Sequence, residues 1–157
     1  MTKIIDISEV YQLAIRIEEN GMKFYSQFSK KTKNKKIKDL FSALAYAEVE
    51  HKKSFEKMLS EIEKYEPKEV YPEEYFSYLR AYADGLIFDF DQLKKQQNKL
   101  KTISQILDFA IQREKDSILY YQEIKNMVSE QQHTELEKII NEERKHLLDL
   151  THIKNTL

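Results

Sequence analysis

The chain has 157 residues, 41% hydrophobic and 34% charged, with a net charge of −1; this suits one domain spanning the whole chain, with an apolar core. Both signs of charge are interleaved, which argues against nucleic acid or an anionic membrane as a partner, and no apolar stretch approaches the roughly 20 residues that span a bilayer. The lack of cysteine excludes disulfides, thiolate metal sites and iron–sulfur clusters within the chain and is compatible with a cytoplasmic location, and the opening Met1-Thr2-Lys3-Ile4-Ile5-Asp6 lacks the apolar run of a secretory signal.

With only two glycines and two prolines, long helices are expected. The first is predicted from Asp6, an N-cap with Glu9 in the capping-box position, to about Lys33. The Lys31–Lys36 stretch reads as a polar turn, with Asn34 capping a second helix that runs to about Lys64 and stops before Pro67. So short a link makes these two helices antiparallel neighbours. A long connection follows, from about Glu66 to Lys101, holding a short helix from Pro72 to Ala83, a break at Gly85 and an apolar Leu86-Ile87-Phe88. Its Tyr and Phe residues read as core packing or cover for the bundle, with a partner surface the alternative, the Lys94–Lys99 run as a solvated helix or loop, and the whole as a crossover along the bundle. Thr102 with Gln105 forms another capping box and opens a third long helix ending near Val128. Ser129 is expected to cap the fourth, which runs close to the C-terminus.

Each long helix carries a stripe with alternating steps of three and four, the spacing of an inward face. The stripes run Tyr11, Ala14, Glu18, Gly21, Tyr25, Phe28; then Phe41, Leu44, Glu48, His51, Phe55, Met58; then Leu107, Ala110, Glu114, Ser117, Tyr121, Ile124; then Leu136, Ile139, Glu143, His146, Leu150, Ile153. Four carboxylates and two imidazoles thus interrupt four mostly apolar seams near their middles. The chain also repeats: Glu18 and Tyr25 align with Glu114 and Tyr121 at a separation of 96 residues, and Glu48 and His51 with Glu143 and His146 at 95. Two such hairpins imply a pseudo-twofold site between them.

A buried unpaired carboxylate costs several kcal/mol or stays protonated. The four seams hold no Lys or Arg, so the expected counter-charge is two divalent metal ions, which balance four carboxylates with both imidazoles neutral. A protonated hydrogen-bond network is the competing reading. Spacing alone would not select the ligands, because Glu130 and Asp149 also stand three residues before His133 and His152; those two histidines fall off the stripe and are read as solvated. Oxygen and imidazole donors without sulfur suit iron, with manganese an alternative, better than copper or structural zinc. One Glu from each of two helices plus Glu-x-x-His from each of the other two is the dimetal carboxylate pattern of ferritin-like bundles.

On these residues, Glu18-x-x-Gly21-x-x-x-Tyr25, Glu48-x-x-His51, Glu114-x-x-Ser117-x-x-x-Tyr121 and Glu143-x-x-His146, nearly the whole chain resembles a rubrerythrin-type member of the ferritin-like superfamily. The resemblance implies an all-α antiparallel four-helix bundle with a long crossover between its second and third helices. It implies two iron ions, one bound by Glu18 and His51, the other by Glu114 and His146, with Glu48 and Glu143 bridging. Tyr25 and Tyr121 are read either as donors to a ligand carboxylate or as ordinary core tyrosines. Glu142, where the superfamily can carry an acid that holds a ligand histidine, either orients His51 or is a solvated edge residue, and Ala47 breaks the symmetry opposite it. Two features depart from the family: no four-cysteine rubredoxin module is present, and Ser117 replaces the second Glu of a Glu-x-x-Glu pattern. The expected activity is reduction of hydrogen peroxide, or less readily oxygen, by electrons from an external donor such as a rubredoxin, in defence against oxidative stress. An iron-binding or ferroxidase protein and a metal-responsive scaffold are the alternatives, and a homodimer is compatible with each.

Overall fold

The computed structural model describes residues 7–64, 73–84, 94–95 and 98–157. Within them lie α1 (Ile7–Lys31), α2 (Lys35–Lys64), α3 (Glu73–Asp84), α4 (Ile103–Lys125) and α5 (Glu130–Asn155). There is no strand among the described residues, and none of their helices is long and apolar enough to cross a membrane. The four long helices form a bundle of two hairpins, α1 with α2 and α4 with α5.

The helix ends follow local chemistry. The Asn34 side chain accepts from the Ile37 amide at 3.2 Å and caps α2. At α4, Thr102 and Gln105 form a complete capping box. Ser129 has the extended backbone of an N-cap, but its side chain makes no capping hydrogen bond; its carbonyl accepts from the Gln132 amide instead. Helix α4 stops at Lys125, short of Val128, because Met127 and Val128 turn inward and are buried at the bundle end. The Asp6 cap, Pro72, Gly85 and the Leu86-Ile87-Phe88 stretch lie outside the described residues.

The core is layered. One apolar cluster gathers Val10, Tyr11, Ala14 and Ile17 with Phe55, Met58, Tyr120, Tyr121, Ile124, Leu136, Ile139 and Ile140. The other gathers Phe24, Tyr25 and Phe28 with Phe41, Leu44, Leu107, Ala110 and Leu150. On every long helix the polar insertion falls between these two sets: Glu18 between Ile17 and Phe24, Glu48 and His51 between Ala45 and Phe55, Glu114 between Ala110 and Tyr120, Glu143 and His146 between Ile140 and Leu150. Two greasy plugs therefore enclose one charged layer. Leu79 and Ala83 of α3 pack on the first cluster and Leu100 on the second, so the described parts of the connection lie against opposite ends of the bundle. Tyr75 and Tyr82 fasten α3 by donating to Glu123 and Asp116 of α4, as expected of cover for the bundle.

The first plug is held by a buried polar tie. The Tyr11 hydroxyl donates to Gln132 Oε1 at 2.5 Å, and Gln132 Nε2 donates to the Met58 carbonyl at 3.0 Å, joining α1, α5 and α2. Gln132→Ala leaves the Tyr11 hydroxyl buried and unsatisfied and is expected to cost about 2 kcal/mol of unfolding free energy in urea denaturation. A loss below about 0.5 kcal/mol would show that the tie is not structural.

Candidate metal centre

The stripes deliver all six side chains to one place. Glu18, Glu48, Glu114 and Glu143 are at most 1% exposed, His51 2% and His146 9%. One ligand atom each from Glu18, Glu48, His51 and Glu143 lies within 4.8 Å of the others, and the same holds for Glu48, Glu114, Glu143 and His146. Glu48 and Glu143 belong to both groups. Each group has one carboxylate and one imidazole of its own and shares the other two carboxylates, the donor pattern of dimetal ferritin-like bundles.

The two halves mirror each other in detail. His51 Nδ1 lies 3.5 Å from Glu18 Oε2, and His146 Nδ1 lies 4.0 Å from Glu114 Oε1. The imidazoles stack with centroids 5.7 Å apart. Both Nδ1 atoms turn to Glu143, at 3.2 Å from His51 and 2.9 Å from His146. The tyrosines cross over: Tyr25 of α1 donates to Glu114 on α4, and Tyr121 of α4 donates to Glu18 on α1, each at 2.5 Å. His51 Nε2 lies 2.6 Å from Glu142 Oε2, and Glu142, with a side chain 43% exposed, carries this chain of contacts to the surface. There Glu142 borders a groove of about 650 Å³ shared with Lys125, His133, Lys138 and Lys145. His133 is half-buried rather than solvated, with its Nε2 at 3.1 Å from the Val128 carbonyl, whereas His152 is exposed.

The donor set fits divalent metal. Glu18 Oε2, Glu48 Oε1 and Glu114 Oε2 are buried oxygens without a hydrogen-bond partner. Such atoms are rare in a folded protein, and three aimed into one layer call for a cation.

Comparison with known proteins agrees with this geometry. The rubrerythrin family model matches residues 9–154. The chain belongs to the rubrerythrin family. Its fold is similar to a crystal structure from Thermotoga maritima described as a ferritin-like diiron-carboxylate protein, with 28% identity, a TM-score of 0.74, and coverage of 99% of this chain and 98% of that one. No curated protein matches the sequence.

One charged residue of this rubrerythrin-family centre escapes the stripes. Arg113 is only 3% exposed, which corrects the reading that no Lys or Arg reaches the layer. Its position is one residue before Glu114, just off the seam, but its long side chain turns inward. Nη1 lies 3.7 Å from Glu48 Oε1, and Nη2 donates to the Ile17 carbonyl at 2.6 Å. Burial opposes its charge, but Glu48 above all, with Tyr25, Glu114 and Glu18, more than compensates and keeps it ionised. The internal repeat carried a signal: the position 96 residues earlier is Ile17, an apolar residue opposite a charge.

Without metal, the layer is electrostatically loaded. Burial first, then the charges of Glu18 and Glu143, holds Glu48 well above the usual 4.5. Burial, followed by Glu143, does the same to Glu114. At His51 burial works against protonation, but Glu18 and Glu143 outweigh it and push the imidazole from 6.5 up to about 12. Burial also opposes ionisation of Glu143, yet the contacts with His146 and His51 hold its carboxyl well below the ordinary value. The three raised groups contribute stability that is complete below 4.5 for the glutamates and 6.5 for His51 and is lost as pH climbs towards their folded values. Glu143 contributes above 4.5 and loses its share only as pH falls below that. The metal-free protein is therefore expected to melt at a lower temperature at about pH 8 than at about pH 5. Calorimetry that found it more stable at the higher pH would contradict the assignment of charge.

Proposed function

We propose that the centre holds two iron ions and reduces hydrogen peroxide, or less readily oxygen, to water with electrons from an external donor. The observation that carries this reading is the set of three orphaned carboxylate oxygens in two overlapping groups of four ligands. Manganese fits the same donors. The similar Thermotoga maritima protein is described as diiron, which supports iron over other metals.

In this reading Glu18 and His51 would hold one ion and Glu114 and His146 the other, with Glu48 and Glu143 available to both. Iron held there would supply the two electrons that, with two protons, turn one peroxide into two waters. The remaining side chains position and insulate. Tyr121 and Tyr25 each occupy one oxygen of Glu18 and Glu114, which fixes the carboxylates and leaves the second oxygen for metal. Glu142 accepts from His51 Nε2, which fixes the tautomer and leaves the Nδ1 lone pair directed into the centre. The two apolar clusters exclude bulk water from both ends of the layer. A rubredoxin-like protein or small reductant would deliver the electrons, since these 157 residues contain no cysteine for such a centre. In this reading the protein serves in defence against oxidative stress.

One observation favours a second reading, iron as cargo of a ferroxidase. Ser117, at the position of the family's extra carboxylate, donates back to the Arg113 carbonyl at 2.9 Å and offers nothing to the centre. The two readings part on iron retention. For a peroxidase, anaerobically loaded protein is expected to consume about one peroxide per iron pair, faster than oxygen, and to keep its iron through desalting and re-reduction. Loss of most of the iron after one oxidation, or growth of a mineral beyond the site, would replace the peroxidase with the iron handler.

A further inference from the structure

The repeat is symmetric in its ligands and broken beside one of them. Glu143 is flanked by two imidazoles at hydrogen-bond distance. Its counterpart Glu48 faces the Arg113 guanidinium instead. The position related to Arg113 in the first hairpin is Ile17, so no matching cation stands on the other side.

The slot for this guanidinium is built. A Cβ at Gly21 would stand 2.7 Å from Arg113 Nη1 and 2.7 Å from both Cδ and Oε2 of Glu48, so either side chain would have to shift to admit it. Glycine inside a helix costs about 1 kcal/mol relative to alanine. That cost is offset here by the space in which α4 reaches across to α1 and α2. Ser117, the residue related to Gly21, is also small, but its hydroxyl is turned to its own helix.

We propose that Arg113 is a positioning residue for Glu48 and an internal counter-charge that competes with metal for it. This rests on the metal-binding reading of the centre. With four carboxylates, one guanidinium and neutral imidazoles, two divalent ions bring the buried layer to a net +1 rather than zero. The second ion therefore enters against a fixed positive charge, and Glu48 is the ligand whose electron density is drawn away. The two ions bind with unequal affinity although their ligands match. Without metal, the same guanidinium keeps the carboxylates from facing one another unscreened. Arg113 thus supports the empty centre and weakens the full one.

A brace without electrical effect would behave differently. Both Arg113→Lys and the neutral variants R113Q and R113M lose the fork that joins Glu48 to the Ile17 carbonyl, so a brace would lose metal affinity in all three. Mn2+ binding by calorimetry, with thermal melts of metal-free and Mn2+-loaded protein, separates the two. The expected result is that R113Q and R113M bind the weaker Mn2+ about tenfold or more tightly than wild type, while R113K stays within about threefold. The metal-free neutral variants should melt below wild type, and their gain in melting temperature on loading should exceed that of wild type. Weaker Mn2+ binding in the neutral variants, or equal losses in all three, overturns the inference while leaving the metal centre intact. Failure of both neutral variants to fold even with saturating Mn2+ also overturns it, since metal would then not replace the guanidinium. If wild type itself takes up no Mn2+ or Fe2+, the metal reading falls and this inference falls with it.

Discussion

Four carboxylates buried in one layer set the terms for the rest of this molecule. Placed between two apolar clusters, Glu18, Glu48, Glu114 and Glu143 have no bulk water to solvate them. Charges so placed repel one another in a medium of low effective dielectric, where a pair at about 4 Å interacts several times more strongly than in water. The fold answers with every positive or proton-donating group within reach. Two imidazoles turn to Glu143, two tyrosine hydroxyls cross between hairpins, and one guanidinium fills the gap at Gly21. Three buried oxygens are still left without a hydrogen bond. In the function proposed, bound metal completes what the side chains leave undone.

The crossing tyrosines explain how the layer stays ordered. Each hydroxyl comes from the hairpin opposite its acceptor, so α1 and α4 are tied through the site as well as by packing. Arg113 adds a third tie between the same helices through the Ile17 carbonyl. Site geometry and bundle assembly are therefore one problem. A change that loosens the apolar plugs moves the ligands, and a change in the charge of the layer is felt by the plugs.

Much of this was legible in the sequence because helical phase is a strong constraint. Steps of three and four placed Glu48 and His51 on one face and left His152 off it, although both histidines follow an acid at the same spacing. The repeat foretold the pseudo-twofold relation, and the family resemblance foretold the bundle with its crossover. Arg113 was not legible from the seam, since a long flexible side chain can turn into the core from a flanking position. Its signature lay in the repeat, as a charge aligned with Ile17 and a glycine aligned with Ser117. The missing Ser129 side-chain cap and the early end of α4, beside the buried Met127 and Val128, are not recorded in any local pattern.

The central claim is that the carboxylate layer is a two-ion site, and counting ions tests it most directly. Metal-free protein titrated anaerobically with Fe2+, desalted and assayed for iron, is expected to saturate at about two ions per chain, with Mössbauer spectra showing ferrous ions of a single bound class or two closely related ones. Saturation at one ion, or no retained iron with all six side chains intact, would contradict the account.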